Sequence, residues 1–250
     1  EANTLNDHKS GVVTATVTDS NGTSALLVSN ALTLNGTGNA YSIFIRDRTV
    51  ATTDLLSIDA LTTVTINAAR ITRLTGTYAS IISTYAAETA GTISGLGSNC
   101  SFTASGSITV AEANTLSGLI SHGSRSLTAT ISNGDMATLA GISESGHNLS
   151  ITITDTSVAA AALNTLDGKT DTTINASNIT TLTGAAADLN TAYASSGISG
   201  LNNEAVTLSD TSLSASVLNT LDSNTSGTIN ASSIDTLSGA AADLNTAYTS

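Results

Sequence analysis

The sequence predicts a repeat solenoid built from parallel β-α coils, each a strand followed by a short helix. Three observations lead there. The phrase TINASNITTLTGAAADLNTAY at 173–193 returns as TINASSIDTLSGAAADLNTAY at 228–248, identical at 18 of 21 positions. Residues 42–76 align without a gap on 150–184, where SIFIRDRTVATTDLLSID faces SITITDTSVAAAALNTLD. Finally, VTATVTD, LTATIS, LSITITD and VTLSD alternate apolar and polar residues, as half-buried strands do.

Nine units read along the chain. They begin near Val12, Tyr41, Val64, Cys100, Leu127, Leu149, Thr172, Val206 and Thr228. Their spacing, about 22 to 36 residues, is that of one solenoid turn. They form one continuous run over residues 1–250. In the first unit Val13, Ala15 and Val17 share a face opposite Thr14, Thr16 and Thr18. In the sixth, SVAAAALNTLDG reads as a helix with Ser157 as N-cap. Val158, Ala162, Leu163 and Leu166 give it an apolar stripe, and Gly168 is expected to close it in the left-handed conformation. Ser212, Leu213, Val217 and Leu221 repeat that pattern in the eighth unit. In the seventh and ninth units TINA is the strand, with Ile174 or Ile229 inward. GAAADLNTAY is the helix, with Leu189 or Leu244 inward and alanines where helix and sheet sit close. TLTGA and TLSGA read as short insertions that widen those turns. A helix-free, right-handed parallel β-helix of the same unit length is the alternative.

Composition narrows the function. The chain has no Pro, no Trp and 3% aromatics, so Leu, Ile, Val and Ala must fill a thin core. One unit buries little by itself, and stability must come from unit-to-unit interfaces. Net charge is −12, and the stretch after Lys169 carries seven acids and no Lys or Arg. A polyanion would be repelled, which argues against nucleic-acid partners. No run of about 18 apolar residues is present, so no membrane insertion is expected. Cys100 is alone and reads as a small buried hydrophobe. The chain opens on EANTL and closes on TAYTS, both mid-unit, with no initiator Met and no signal peptide. An interior slice of a longer repeat protein is the expectation.

Candidate chemistry is sparse. Aligned unit by unit, one outward strand column reads Thr16, Phe44, Thr65, Thr103, Thr130, Thr152, Thr173, Thr207 and Thr228. A hydroxyl ladder of that kind could face polysaccharide or ice, although threonine is also simply favoured in strands. Asp19, Asp155 and Asp210 end strands and are weak calcium candidates. Calcium needs several oxygens converging on one point, whereas Asp after a strand more often makes a turn or a helix cap. No other metal or cofactor is expected. His8, His122 and His147 lack metal-ligand spacing and read as solvated loop residues. Glu204 falls in a long loop, 195–204, with no partner for acid-base work. With no Gly-x-Ser-x-Gly elbow, no enzyme is expected.

The run GLNNEAVTLSDTSLSASVLNTLDSNTSGTINASSIDTLSGAAADLNTAY resembles repeats of giant cell-surface, adhesin-like proteins of cyanobacteria and other marine bacteria. The likeness is strong over 149–250 and fainter over 42–87. It implies a bacterial extracellular or cell-surface setting and a structural, non-enzymatic role, and it assigns no binding residues. The expected function is therefore a structural module of a long extracellular fibre, adhesin or surface layer. Its partners would be neighbouring coils or further subunits, assembled head to tail, with surface polysaccharide as a further candidate. A binding module that uses the Thr-rich face is the alternative.

Overall fold

The computed structural model describes residues 4, 11–17, 36–97, 100–120 and 125–249. Backbone contacts group the chain into two compact units. One is Glu1–Ile108 with Thr115–Ala129; the other is Thr109–Asn114 with Thr130–Ser250.

In the first unit, strands β1 (Thr14–Val17), β2 (Ala40–Ile43) and β3 (Thr49–Ala51) lead into helix α1 (Thr52–Asp59). Then come β4 (Ile66–Asn67), β5 (Arg73–Gly76), α2 (Tyr78–Ala90), β6 (Ile93–Ser94) and β7 (Ser101–Ile108). Helix α3 (Val110–Ser117) and strand β8 (Leu127–Ile131) have residues in both units. The second unit continues with α4 (Met136–Leu139), β9 (Asn148–Ser150), β10 (Ser157–Ala159), α5 (Ala160–Asp167) and β11 (Ile174–Asn175). It goes on through β12 (Thr181–Gly184), α6 (Ala186–Ala194), β13 (Ile198–Ser199), β14 (Ala205–Leu208) and β15 (Ser212–Ser214). It ends with α7 (Ala215–Asn224), β16 (Ile229–Asn230), β17 (Thr236–Ser238) and α8 (Ala241–Thr249).

The protein is thus α/β with parallel pairing. A parallel pair needs a crossover connection, and the short helices lie on those crossovers. In the second unit the pairing step is nearly constant. Ser157 pairs with Thr181, Ile174 with Ile198, Thr181 with Ala205 and Ser212 with Thr236, the same step along the chain each time. In the first unit Thr49 pairs with Arg73 at that same step. Ile66 reaches further, to Ile93, because α2 is longer than α1. Eight helices among the described residues exclude the helix-free alternative.

The core is a set of apolar columns. Ile66 stacks on Ile93, Leu74 on Phe102, and Val158 on Leu182 on Val206; all are buried. Each such side chain contributes about 1.5–3 kcal/mol relative to exposure. Alternation puts the neighbouring residues outside, as the sequence predicts. Ile174 and Leu189 point inward as expected, both fully buried. Two rings, Tyr85 and Phe102, meet edge to face with centroids 5.6 Å apart.

Several local expectations need correction. Ser157 is not an N-cap: it lies in β10, and α5 starts at Ala160 with Ala159 at the cap. Pairing with Thr181 claims Ser157 for the sheet. Ala162 is exposed, and the buried face of α5 is Ala160, Leu163 and Leu166. Gly168 ends α5 in the right-handed region, φ −69°. The amides of Gly168 and Lys169 bond back to Asn164 O and Leu166 O, so the last carbonyls are satisfied without a left-handed residue. TLTG at 181–184 is no insertion: it is β12, paired with β10 on one side and β14 on the other. The stretch 195–204 contains β13 rather than one long loop.

Two glycines mark equivalent places after the shortest strands. Gly95 follows β6 with φ +89°, and Gly200 follows β13 with φ +90°. A Cβ at Gly95 would lie 2.9 Å from the Ala69 backbone, and one at Gly200 2.8 Å from Ser177 N. Both φ and the close approach require glycine.

Candidate functional surface

The expected threonine column is exposed at Thr16, Thr65, Thr130, Thr152, Thr173, Thr207 and Thr228, and half-buried at Thr103. These residues do not form one ladder. Phe44 pairs with Asn67, Thr152 with Asn175 and Thr207 with Asn230. Thr65, Thr173 and Thr228 therefore stand two positions out of line. Ile151 and Ile153 both point inward, so registers two residues apart satisfy the alternation equally. Asn67, Asn175 and Asn230 then accept from the amides of Ala69, Ser177 and Ser232, all at 3.1 Å. These Asx turns bend the chain out of each strand. Within the sheets Thr103 faces Thr75, and Thr207 faces Thr183. Thr103 Oγ1 lies 3.1 Å from Arg73 Nη1, which donates to it, and Thr65 Oγ1 donates to Gly91 O at 2.7 Å.

Many polar side chains instead bond the backbone of a neighbouring repeat. The Asn of the first three LNT motifs does so across the helix layer. Asn164 Nδ2 donates to Asp188 O at 2.9 Å, Asn190 Nδ2 to Val217 O at 3.3 Å, and Asn219 Nδ2 to Asp243 O at 3.0 Å. Ser199 Oγ donates to Ile174 O, Ser233 Oγ to Leu208 O and Thr180 Oγ1 to Thr156 O.

Two of the three aspartates singled out for calcium sit at helix N-termini. Asp155 Oδ2 accepts from Met136 N at 2.7 Å, at the start of α4. Asp210 Oδ2 accepts from Ala186 N at 2.8 Å, at the start of α6, whose own cap residue Ala185 offers no side-chain bond. Asn133 Oδ1 does the same for Val110 N of α3 at 3.0 Å. Each of these helices takes an acceptor for its first turn from a later stretch of chain; α4 and α3 are capped locally as well, by Asp135 Oδ1 on Thr138 N and by Thr109 Oγ1 on Glu112 N, and α6 is not. An anionic cap both satisfies an orphan N–H and opposes the positive helix end. Asp19 lies outside the described residues, as do His8 and His122. Among the described residues no group of three or more His, Cys, Asp or Glu is placed to hold a metal ion.

Other polar groups are more buried than the sequence suggests. His147 is 7% exposed, not a solvated loop residue; its main-chain carbonyl accepts from Thr170 Oγ1 at 3.2 Å. Glu204 is 1% exposed. Its Oε2 accepts from Tyr193 Oη at 3.1 Å and its Oε1 from Asn202 N at 3.2 Å. Burial pushes the Tyr193 hydroxyl up to about 12. Cys100 is buried, with Sγ 3.4 Å from Ile71 O, and burial pushes its thiol up to about 11. A groove of about 250 Å3, lined by Met136, Leu139, Ala162, Leu166 and Lys169, lies beside the one-turn helix α4. Its rim carries Lys169, whose Nζ donates to Ser143 O at 3.1 Å.

Comparison with protein-family models, with curated proteins and with solved structures finds no match to this chain. No helix among the described residues is long and apolar enough to cross a membrane.

Proposed function

We propose that the chain is a structural repeat module, a stretch of β-α solenoid in which about nine coils convert sequence length into rod length. The observation that carries this reading is how the polar side chains are used. Asn164, Asn190, Asn219, Asp155 and Asp210 all bond backbone of an adjacent repeat. Residues spent on holding one coil to the next suit a scaffold better than a catalyst. The acidic, hydroxyl-rich surface keeps such a rod soluble at net −12. The likeness to giant adhesin-like repeats supports an extracellular or cell-surface fibre, with further coils as its natural partners. No enzymatic role, cofactor or nucleic-acid partner belongs to this reading.

Single-molecule pulling tests it. A coil of about 24 residues released from the stack should lengthen the chain by roughly 80 Å at about 3.3–3.6 Å per residue. The expected trace has extension steps of that size or its multiples; a single featureless release of the whole chain would contradict it. The second reading, a binding face for polysaccharide or ice, is favoured by the threonines that do align across strands, Thr75 with Thr103 and Thr183 with Thr207. It requires thermal hysteresis or glycan capture that is lost on changing these threonines to lysine.

A further inference from the structure

The stretches 42–76 and 150–184 share one backbone plan. Phe44 pairs with Asn67 as Thr152 pairs with Asn175, and Thr49 pairs with Arg73 as Ser157 pairs with Thr181. Their inward strand positions are identical: Ile43, Ile45, Ile66 and Leu74 answer to Ile151, Ile153, Ile174 and Leu182, all buried. The outer faces are not. Phe44, Arg46, Arg48, Arg70 and Arg73, all exposed, stand where 150–184 has Thr152, Thr154, Thr156, Asn178 and Thr181. Four of the seven Lys and Arg of the chain therefore fall on two neighbouring coils.

The scaffold does not require them, since 150–184 forms the same pairing with neutral residues at all five places. Asn178 Nδ2 there donates to Ile153 O at 2.8 Å, a link between coils. Arg70, in its place, makes no side-chain hydrogen bond among the described residues, and neither do Arg46 and Arg48. Only Arg73 has a partner, Thr103 Oγ1. Between the two fixed points of the register, Arg46 and Arg48 run alongside Arg70 and Arg73, and the amides of Thr72 and Arg73 both donate to Arg48 O at 2.8 Å. Acids are kept off this face: Asp47, between two of the arginines, is 8% exposed, and residues 60–87 contain no Asp or Glu. Phe44, 37% exposed, shares the outward side of its strand with Arg46.

We propose that this patch is a binding site for an anionic polysaccharide, one bearing carboxylates or sulfates. Guanidinium forks take such groups through paired hydrogen bonds. Coils lie about 4.8 Å apart, close to the advance of one sugar unit, so charges on neighbouring sugars meet arginines on neighbouring coils. The Phe44 ring gives the C–H face of a pyranose a flat surface to stack on. A nucleic-acid duplex packs one charge into about every 1.7 Å and meets the repulsion of a chain at net −12; a polymer with one charge per sugar matches the coil spacing and is repelled less. The site goes beyond the scaffold reading and does not rest on it.

Interferometry of the whole chain on immobilised polygalacturonate, dextran sulfate, neutral dextran and duplex DNA tests it. The chain should bind at least one of the two charged glycans, and which one it binds separates carboxylate from sulfate recognition. Neutral dextran should give no signal, and DNA a weaker one than the glycan. Binding should fade in about 1 M salt, where screening acts within about 3 Å. The variant Arg46→Thr, Arg48→Thr, Arg70→Asn, Arg73→Thr installs the residues of 150–184, so it should keep the melting temperature while affinity falls about 30-fold. Phe44→Thr should weaken binding about fivefold and leave its salt dependence unchanged. No preference for a charged glycan over dextran, a four-site variant or a Phe44→Thr chain that binds like the wild type, or equal affinity for DNA overturns the proposal. None of these outcomes alters the extension steps of the pulling experiment, so the two claims fail separately.

Discussion

Asp210 shows how a single side chain serves two repeats. It follows β14 in sequence, yet its carboxylate closes the N-terminus of α6. Asp210→Ala should lower stability by about 1–2 kcal/mol, as loss of an N-cap does, read as a lower midpoint in urea. The same change at exposed Asp222 should be near neutral. Asn219→Ala, which removes the side-chain donor to Asp243 O, should cost about 1 kcal/mol. Cys100 makes a different prediction. Its thiol titrates near 9 when unperturbed and near 11 here, and Tyr193 moves from 10 to about 12. The unfolded chain gives up these protons first, so stability falls as pH rises above about 9. Melting temperature should drop steadily from pH 9 to 11, and thiol reagents at pH 8 should label Cys100 only after unfolding. Fast labelling of the folded chain would contradict that burial.

At the scale of elements, alternation and alanine-rich stretches made strands and helices legible in the sequence. The inward placement of Ile174, Val206, Leu163 and Leu189 follows directly from period two and period 3.6. The two-residue strands β6 and β13 were not legible, because Ile-Ser is too short to show a period. Only the recurrence of Ile-Ser-Gly-Leu at 93–96 and 198–201 signals them. Register was ambiguous for a related reason: apolar residues at both 151 and 153 allow a two-residue slide, and the Asx turns at Asn67, Asn175 and Asn230 fall where the chosen register needs them. Borrowed caps were invisible because Asp155 and Asp210 lie far along the chain from the amides they accept from, Met136 N and Ala186 N. Gly200→Ala should test the close approach of repeats: positive φ and a Cβ 2.8 Å from Ser177 N should together cost more than about 2 kcal/mol, measured by denaturant unfolding. A neutral result would mean that β13 and the residues after β11 are not in contact.

For the whole molecule, stability in a stack of repeats is a sum of repeat and interface terms. Adding coils should then lengthen the particle without thickening it. Residues 181–204 are a natural insert, since β12 starts at Thr181 and its partner β14 starts at Ala205. The decisive measurement is small-angle X-ray scattering from the chain and from a version with five extra copies of 181–204 placed after Glu204. At about 4.8 Å per coil, the longest dimension should grow by roughly 24 Å while the cross-sectional radius stays constant. Growth in cross-section instead, or a radius of gyration that scales as in a globule, would contradict the stacked-coil account.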